Sequence, residues 1–406
     1  MRKLIKIAWR NLWRNRRRTF ITAASIMFAL MIALVMRGFQ IGSYDRMVYN
    51  VVHAYSGYFQ IHANGYQDEQ ILNNAMEESD EVKSLIAEYP NVEASPRIES
   101  FVLTSYGTQT KGAMLVGMDP EAENNLTSVS GKLIEGEFLS PDDEGALISS
   151  RLAAYLKIGV GDSLVLLGQG LYGASAAGIF VIKGILKFPS PDLDNKMVYT
   201  SLPAAQNFFS AQGYLTSIAF NMEDADKMNE TVADFRAKLD TSVYEVMTWE
   251  EMQPEMVQQI EGDNKSGIIM LGILYLIVGF GILGTVLMIT TERTREFGVM
   301  MAIGMKKLQL VFVQIVEMFF VGLIGIVLGT AVALPVIGYF LYHPIKLSGG
   351  TAEMMIEYGF EPIMPVVLQS DYFISQILVV LIIVLISVII AAIKILRLKT
   401  INALRK

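Results

Sequence analysis

Four stretches of the chain are almost free of charge, and they set its architecture. Thr19 to Met36 holds 18 uncharged residues, Ser266 to Thr291 holds 26 and Tyr372 to Ile393 holds 22, while Leu308 to Ile345 is interrupted only by Glu317 and His343. At about 1.5 Å per residue, roughly 20 residues cross a ~30 Å hydrocarbon core. Each stretch therefore predicts a transmembrane helix, over 19–40, 266–291, 308–340 and 372–396. Between the first two the period changes. Gly57–His62, Ile98–Thr104, Lys111–Gly117, Ala146–Ser149, Ser163–Leu167, Ile179–Leu186, Met197–Thr200 and Thr216–Phe220 read as strands, with Tyr106–Gly107–Thr108 turning one into the next. Asp80–Tyr89, Leu202–Phe209 and Asp224–Leu239 read as helices; in the last, Met228, Val232, Phe235 and Leu239 form one buried stripe. Thr248 and Glu251 have the spacing of a capping box, and Pro254 is placed to kink the next helix.

The expected fold is an α-helical membrane protein with four transmembrane helices and a large α+β extracytoplasmic domain inserted between helices 1 and 2. The plan is a basic segment 1–18, the first span, a domain 41–265, the second span, a connection 292–307, the third span, a loop 341–371, the fourth span and a tail 397–406. Within the domain, 41–91 and 216–265 are expected to form a membrane-proximal base and 92–215 a distal lobe.

Charge fixes the orientation. Arg2, Lys3, Lys6, Arg10, Arg14, Arg16, Arg17 and Arg18 precede the first span with no acid among them. Arg293, Arg295, Lys306 and Lys307 lie in the connection, and Lys394, Arg397, Lys399, Arg405 and Lys406 close the chain. The loop 341–371 instead sets Lys346 against Glu353, Glu357, Glu361 and Asp371. Short Lys/Arg-rich flanks stay in the cytoplasm, so both termini and 292–307 are expected inside and 41–265 outside. Arg37–Lys265 carries 15 basic and 33 acidic residues, a formal −18, whereas the rest carries 18 and 7, a formal +11. The acidic outer segment argues against nucleic-acid binding; plain solvation or a face for a basic partner both fit it. Overall composition agrees with a membrane protein: 18% charged residues and a mean hydropathy of +0.40, against about 25% charged in soluble domains. Val35-Met36-Arg37 offers no small-x-small cleavage site, so the first span reads as an uncleaved anchor. The chain has no cysteine, and its outer domain must rely on an ordinary apolar core, which over 200 residues can supply.

Candidate chemistry is sparse. His53, His62 and His343 are too scattered for a metal site, and no acid pair marks a catalytic centre. Gly107–Gly112, Gly131–Gly136 and Gly173–Gly178 have phosphate-loop spacing but are followed by Ala113, Glu137 and Ile179 where that loop requires Lys. No catalytic residue, metal ligand or cofactor is assigned to this chain. In the spans, Gly279, Gly281 and Gly284, and Gly322, Gly325 and Gly329, are candidates for close helix packing, Gly325-x-x-x-Gly329 having the favoured spacing. Glu317 lies about 13 Å into the third span. It is either a buried pair or coupling element, or sits at headgroup level. Thr291–Gly298 (TERTREFG) is a short charged segment between two spans, and Val299–Met305 continues it with apolar residues at helical spacing. It offers charges and an apolar edge to a partner, or serves as a tether.

Arg293-Thr294-Arg295-Glu296-Phe297-Gly298 followed by Ala302-Ile303-Gly304 resembles the R-T-R-E-I-G…A-x-G segment of the FtsX/MacB/LolC–LolE permease superfamily. Phe297 stands for the usual Ile and Met301 for a common Arg. Ala8-Trp9-Arg10-Asn11-Leu12 with Arg16-Arg17-Arg18-Thr19 is similar to that superfamily's entry to span one, and Gly57–His62 with Gly65-Tyr66 to the stretch just beyond that span. Pro90-Asn91-Val92, Pro96-Arg97-Ile98, Val116-Gly117-Met118-Asp119-Pro120 and Gly159–Asp162 also match. Ala403-Leu404-Arg405 keeps part of the usual tail, with Lys399, Thr400 and Asn402 replacing its D-P-x-E.

The resemblance implies a non-catalytic permease subunit of a mechanotransmission ABC exporter in a bacterial inner membrane. In it, Glu292, Arg293, Thr294, Arg295, Glu296, Phe297 and Gly298 dock a cytosolic ABC ATPase dimer, which binds the ATP and Mg. A second permease subunit, identical or not, pairs with the chain. Within the superfamily, the size of the outer segment and the Val116–Pro120 stretch point to the lipoprotein-releasing LolC/LolE type, with a lipoprotein substrate and a periplasmic carrier. Gly168–Gly178 (GQGLYGASAAG), read as flexible, is the positional match to that type's carrier-binding loop, without its motif. MacB-type efflux with a separate ATPase, or an FtsX-like regulator of cell-wall hydrolases, are the alternatives.

Overall fold

The structure, a computed structural model, describes residues 2–14, 16–222, 224–357 and 360–398. The tail residues Lys399, Thr400, Asn402 and Ala403–Arg405 lie outside the described residues. Two compact units divide the chain: 1–44, 260–345 and 364–406 form the first, and 45–259 with 346–363 the second.

The first unit is helical. Its helices are α1 (Arg2–Arg14), α2 (Arg16–Val51, in this unit to Tyr44), α3 (Pro254–Glu292, in this unit from Ile260), α4 (Thr294–Ala302), α5 (Lys307–Tyr342) and α6 (Ser370–Leu396). The helices carrying α2, α3, α5 and α6 are each long and apolar enough to cross a membrane. Ile26, Leu30 and Leu34 of α2 pack with Val286 and Ile289 of α3, Met318 and Val321 of α5 and Val380, Val384 and Val388 of α6. Pro254, expected as a kink, instead opens α3, after Gln253 leaves helical geometry (φ −122°, ψ 55°). A proline there forgoes a hydrogen bond that the first helical turn lacks anyway. The capping box of Thr248 and Glu251 forms just before it.

The glycines of α5 divide between two neighbours. A Cβ on Gly325 would stand 2.6 Å from Cβ of Ile26 and 3.0 Å from the carbonyl oxygen of Ala23, so only glycine lets α2 approach this closely. At Gly329 it would stand 3.0 Å from the Met27 carbonyl, and at Gly322 it would meet Val384 of α6 at 3.3 Å. In α3, Gly281 and Gly284 face open space.

The second unit is built on one ten-stranded sheet: β1 (Phe59–Ala63), β2 (Val92–Tyr106), β3 (Gln109–Met118), β4 (Leu133–Gly136), β5 (Ala146–Ser149), β6 (Ser163–Gln169), β7 (Ser175–Leu186), β8 (Met197–Ser201), β9 (Ser217–Met222) and β10 (Tyr244–Thr248). The order is β10-β1-β9-β2-β3-β8-β5-β7-β4. Strand β6 pairs with both β2 and β7, so six strands close on themselves. β3–β8 and β5–β7 are the parallel pairs. The 15-residue β2 runs through the boundary proposed between base and lobe: Val92–Arg97 pairs with β9 and Val102–Ser105 with β6. The apolar cores are nonetheless distinct. Phe59, Phe220 and Phe235 pack together, and Val102, Leu152, Leu164, Leu166 and Phe209 fill another.

Several expectations shift. The helix read over Asp224–Leu239 is a 3₁₀ turn, Ala225–Lys227, followed by helix Met228–Lys238, because the Asp224 carboxylate accepts from the Asp226 N–H and fixes a turn first. Gly168–Gly178, read as flexible, is the end of the β6–β7 hairpin, pinned where the Tyr172 N–H donates to Asn73 (2.7 Å). Residues 346–363, read as loop, fold with the second unit and contain a helix, Gly350–Glu357.

His62, in β1, gives this unit a pH dependence. Its Nε2 lies 2.7 Å from the Gln60 side-chain oxygen, Nδ1 is buried without a hydrogen bond, and Glu245 is 3.8 Å away. Burial outweighs that carboxylate and pushes the imidazole down to about 4. Unfolded, His62 takes a proton near pH 6.5; folded, it resists until about pH 4. Stability from this group is full above pH 6.5 and falls by about 3 kcal/mol as pH drops towards 4. Guanidinium unfolding followed through Trp249, with Trp9 and Trp13 replaced by Phe, should show that loss. His62→Gln should remove most of it; an unchanged pH slope in that variant would assign the effect elsewhere.

Candidate functional site

The connection between α3 and α5 is where the sequence concentrates its signals. At Arg293 the chain leaves α3 and restarts one residue later as α4, nine residues long. α4 ends in a paired hydrogen-bond motif: the Met305 N–H donates to the Met300 carbonyl and the Gly304 N–H to that of Met301. Gly304 sits at φ +98°, which only glycine adopts without strain, so the glycine stops the helix.

One face of α4 is fastened to the bundle. Arg293 is buried, its Nη1 donating to Glu317 Oε2 (2.7 Å) and its Nε to Glu296 Oε2 (3.3 Å). Asn11 of α1 donates to the same Glu317 oxygen at 3.4 Å. Glu317 is itself buried in protein and paired with Arg293. Arg293 also lies over the ring of Phe297, 5.4 Å from its centre. Phe297 fills a small core with Leu310 and Val311 of α5 and Ala392 and Ile395 of α6, and Met301 packs on its edge. Gly298 is buried beside it. Two further arginines reach this connection from the amino-terminal side: Arg14 donates to Glu296 (2.5 Å) and Arg18 pairs with Glu292. The Thr294 hydroxyl donates to the Thr290 carbonyl, and Lys394 of α6 donates to Thr291.

The opposite face is open. Arg295, Val299 and Ile303, four apart and hence on one stripe, are exposed, Ile303 to 79%. Arg295 makes no hydrogen bond or ion pair among the described residues. The segment is a helix clamped on one side and presenting a cation with two aliphatic side chains on the other. Asn11, Arg14 and Arg18 were not anticipated here. The available signal was charge matching: Glu292, Glu296 and Glu317 are the only acids outside 37–265 and 346–371, and the first two lie beside Arg293 and Arg295 in the sequence. Among the described residues no group of His, Asp and Glu is arranged to hold a metal.

Four helices long and apolar enough to cross a membrane, with this short charged connection between two of them, define a multi-pass membrane protein, and comparison with known proteins supplies the family. Residues 19–238 match the MacB-like periplasmic core domain and 268–403 the FtsX-like permease C-terminal domain. The chain belongs to the FtsX/MacB/LolC–LolE superfamily of ABC transporter permeases. It is 23% identical to the lipoprotein-releasing system transmembrane protein LolC of Xylella fastidiosa, over 80% of this chain and 79% of that one. To the pyoverdine export ATP-binding/permease protein PvdT of Pseudomonas entomophila it is 25% identical, over 86% of this chain and 54% of the relative. The solved periplasmic region of MacB from Actinobacillus actinomycetemcomitans aligns with 53% of this chain and 95% of its own length, at a TM-score of 0.36 and 12% identity.

Proposed function

We propose that this chain is the non-catalytic membrane subunit of an ATP-driven exporter, and that α4 is the element on which a separate cytosolic ATPase dimer docks. ATP and Mg are bound by that partner. The carrying observation is the two-sidedness of α4: Arg293 and Phe297 anchor it, while Arg295, Val299 and Ile303 stay free for a partner. In this reading both termini and α4 are cytoplasmic, the insertion 41–265 between helices 1 and 2 faces the periplasm, and a second permease subunit, identical or not, completes the transporter.

One labelling experiment tests orientation and docking together, because the chain has no cysteine of its own. Arg295→Cys should react with an impermeant maleimide only after the inner membrane is opened, and the ATPase should then protect it at least tenfold. Asp143→Cys should react from the periplasmic side. Labelling of Arg295→Cys in sealed cells would invert the topology, and equal labelling with and without ATPase would leave α4 a tether.

The cargo we assign is lipoprotein, handed from the inner membrane to a periplasmic carrier. The likeness to LolC over most of both chains supports it. Physical need agrees: withdrawing each acyl CH₂ from a bilayer costs roughly 0.8 kcal/mol, which an ATP-driven extractor supplies and a passive pore does not. Depleting the protein should strand outer-membrane lipoproteins in the inner membrane, measured by fractionation, before other defects appear. Normal lipoprotein sorting with lost efflux, or with chained cells, would replace this cargo by small molecules or by hydrolase control respectively.

A further inference from the structure

Four arginines stand at the junction of α1 and α2, and they divide by direction. Arg14 and Arg18 turn to Glu296 and Glu292. Arg16 and Arg17 are exposed and have no hydrogen bond or ion pair among the described residues. They stand at the rim of a groove of about 570 Å³ with Trp9 and Trp13, and below that rim the wall is apolar, including Ala24 of α2 and Leu328 of α5. Ala24 lies eight residues beyond Arg16, about 12 Å along the helix. Cations and indoles therefore sit at one end of a slot whose length runs beside a membrane-spanning segment.

We propose that this groove is a binding site for an anionic phospholipid of the cytoplasmic leaflet, its phosphate held by Arg16 and Arg17 and one acyl chain laid along Ala24 and Leu328. A phosphodiester matches the guanidinium fork, tryptophan favours the headgroup level, and basic pockets between spans on the cytoplasmic side suit such lipids. A zwitterionic lipid brings its own cation against the arginines. A second copy of the helical unit has no acid to offer at this level: Glu292, Glu296 and Glu317 are already paired with Arg18, Arg14 and Arg293, and Asp371 lies at the other end of α6 from Lys394.

Native mass spectrometry of the purified full chain, delipidated and then offered phosphatidylglycerol, phosphatidylcholine or glycerol 3-phosphate, tests the assignment. Phosphatidylglycerol should be retained at least tenfold better than phosphatidylcholine, and glycerol 3-phosphate should not bind at millimolar concentration. Two variants should each reduce retention about tenfold: Arg16→Gln with Arg17→Gln, which removes the charges, and Ala24→Trp, which fills the slot and leaves every charge in place. Loss in the arginine variant with full retention in Ala24→Trp would mean surface attraction alone and overturn the groove. Tight binding of glycerol 3-phosphate would make it a free-phosphate site, and equal retention of both lipids, or dimerisation that abolishes binding, would overturn the proposal outright.

Discussion

Replacing Glu123 by Ala is expected to destabilise the sheet unit by about 3–5 kcal/mol, enough to unfold a marginal domain. Glu123, on the helix Pro120–Thr127, and Arg97, on β2, are both fully buried. The pair is bidentate: Arg97 Nε donates to Oε2 and Nη2 to Oε1, each at 2.8 Å. Ser95 and Thr127 donate to the same carboxylate at 2.9 and 3.1 Å, and the guanidinium lies 5.0 Å from the centre of the Tyr55 ring. Even so, Arg97 Nη1 and the Tyr199 hydroxyl lack partners. Such a cluster is held at high desolvation cost, so losing one charge strands the other, whereas losing both need not. Guanidinium unfolding of Glu123→Ala, Arg97→Met and the double variant should give a coupling energy of about 2 kcal/mol or more. Strictly additive costs would show that the pair is not the unit that matters. Lys132 nearby, pushed down to about 8 by its own burial, marks how dry this region is.

The legibility of each feature in the sequence depends on the range over which its signal acts. Spans are legible because hydropathy adds along contiguous residues: the apolar stretch from Tyr372 lies inside helix Ser370–Leu396. Strand interiors were readable from alternation and their ends only to within a few residues, as with Ile98–Thr104 inside a β2 that starts at Val92. Closure of six strands was not readable, since the pairing of Val102 with Gly168 depends on register across 66 residues rather than on either strand's own pattern. The same holds at the site. TERTREFG announces itself as a charged helical segment, but which face is fastened rests on Glu317, 24 residues from Arg293, and Asn11, 306 residues from Glu317. Helix α1 is hard to read for a different reason: its basic residues already fit the topology signal, and two indoles four residues apart are too short a pattern to mark a helix by themselves.

Removing Glu317 is expected to do more harm than removing Arg293, although both break one ion pair. A guanidinium keeps its charge at any pH a cell provides, so Glu317→Ala leaves a fixed cation among apolar helices with only Glu296, 45% exposed, in reach. Arg293→Ala instead leaves the Glu317 carboxylate with the Asn11 amide still donating to it, which makes it the milder lesion. Breaking a buried pair costs about 3–5 kcal/mol, which shifts the fastened-to-free balance of α4 more than a hundredfold. Because Arg293, Phe297 and Gly298 share that fastening, the open stripe of Arg295, Val299 and Ile303 then loses its fixed orientation. In reconstituted vesicles with the cognate ATPase, Glu317→Ala should lower ATP-dependent release of cargo at least tenfold while membrane insertion stays normal. The exchange of Arg293→Glu with Glu317→Arg should restore a measurable part of it. A charge exchange as defective as Glu317→Ala would mean that the position of each group matters beyond their pairing. Full activity in Glu317→Ala would show that α4 is held by Phe297 and its core alone.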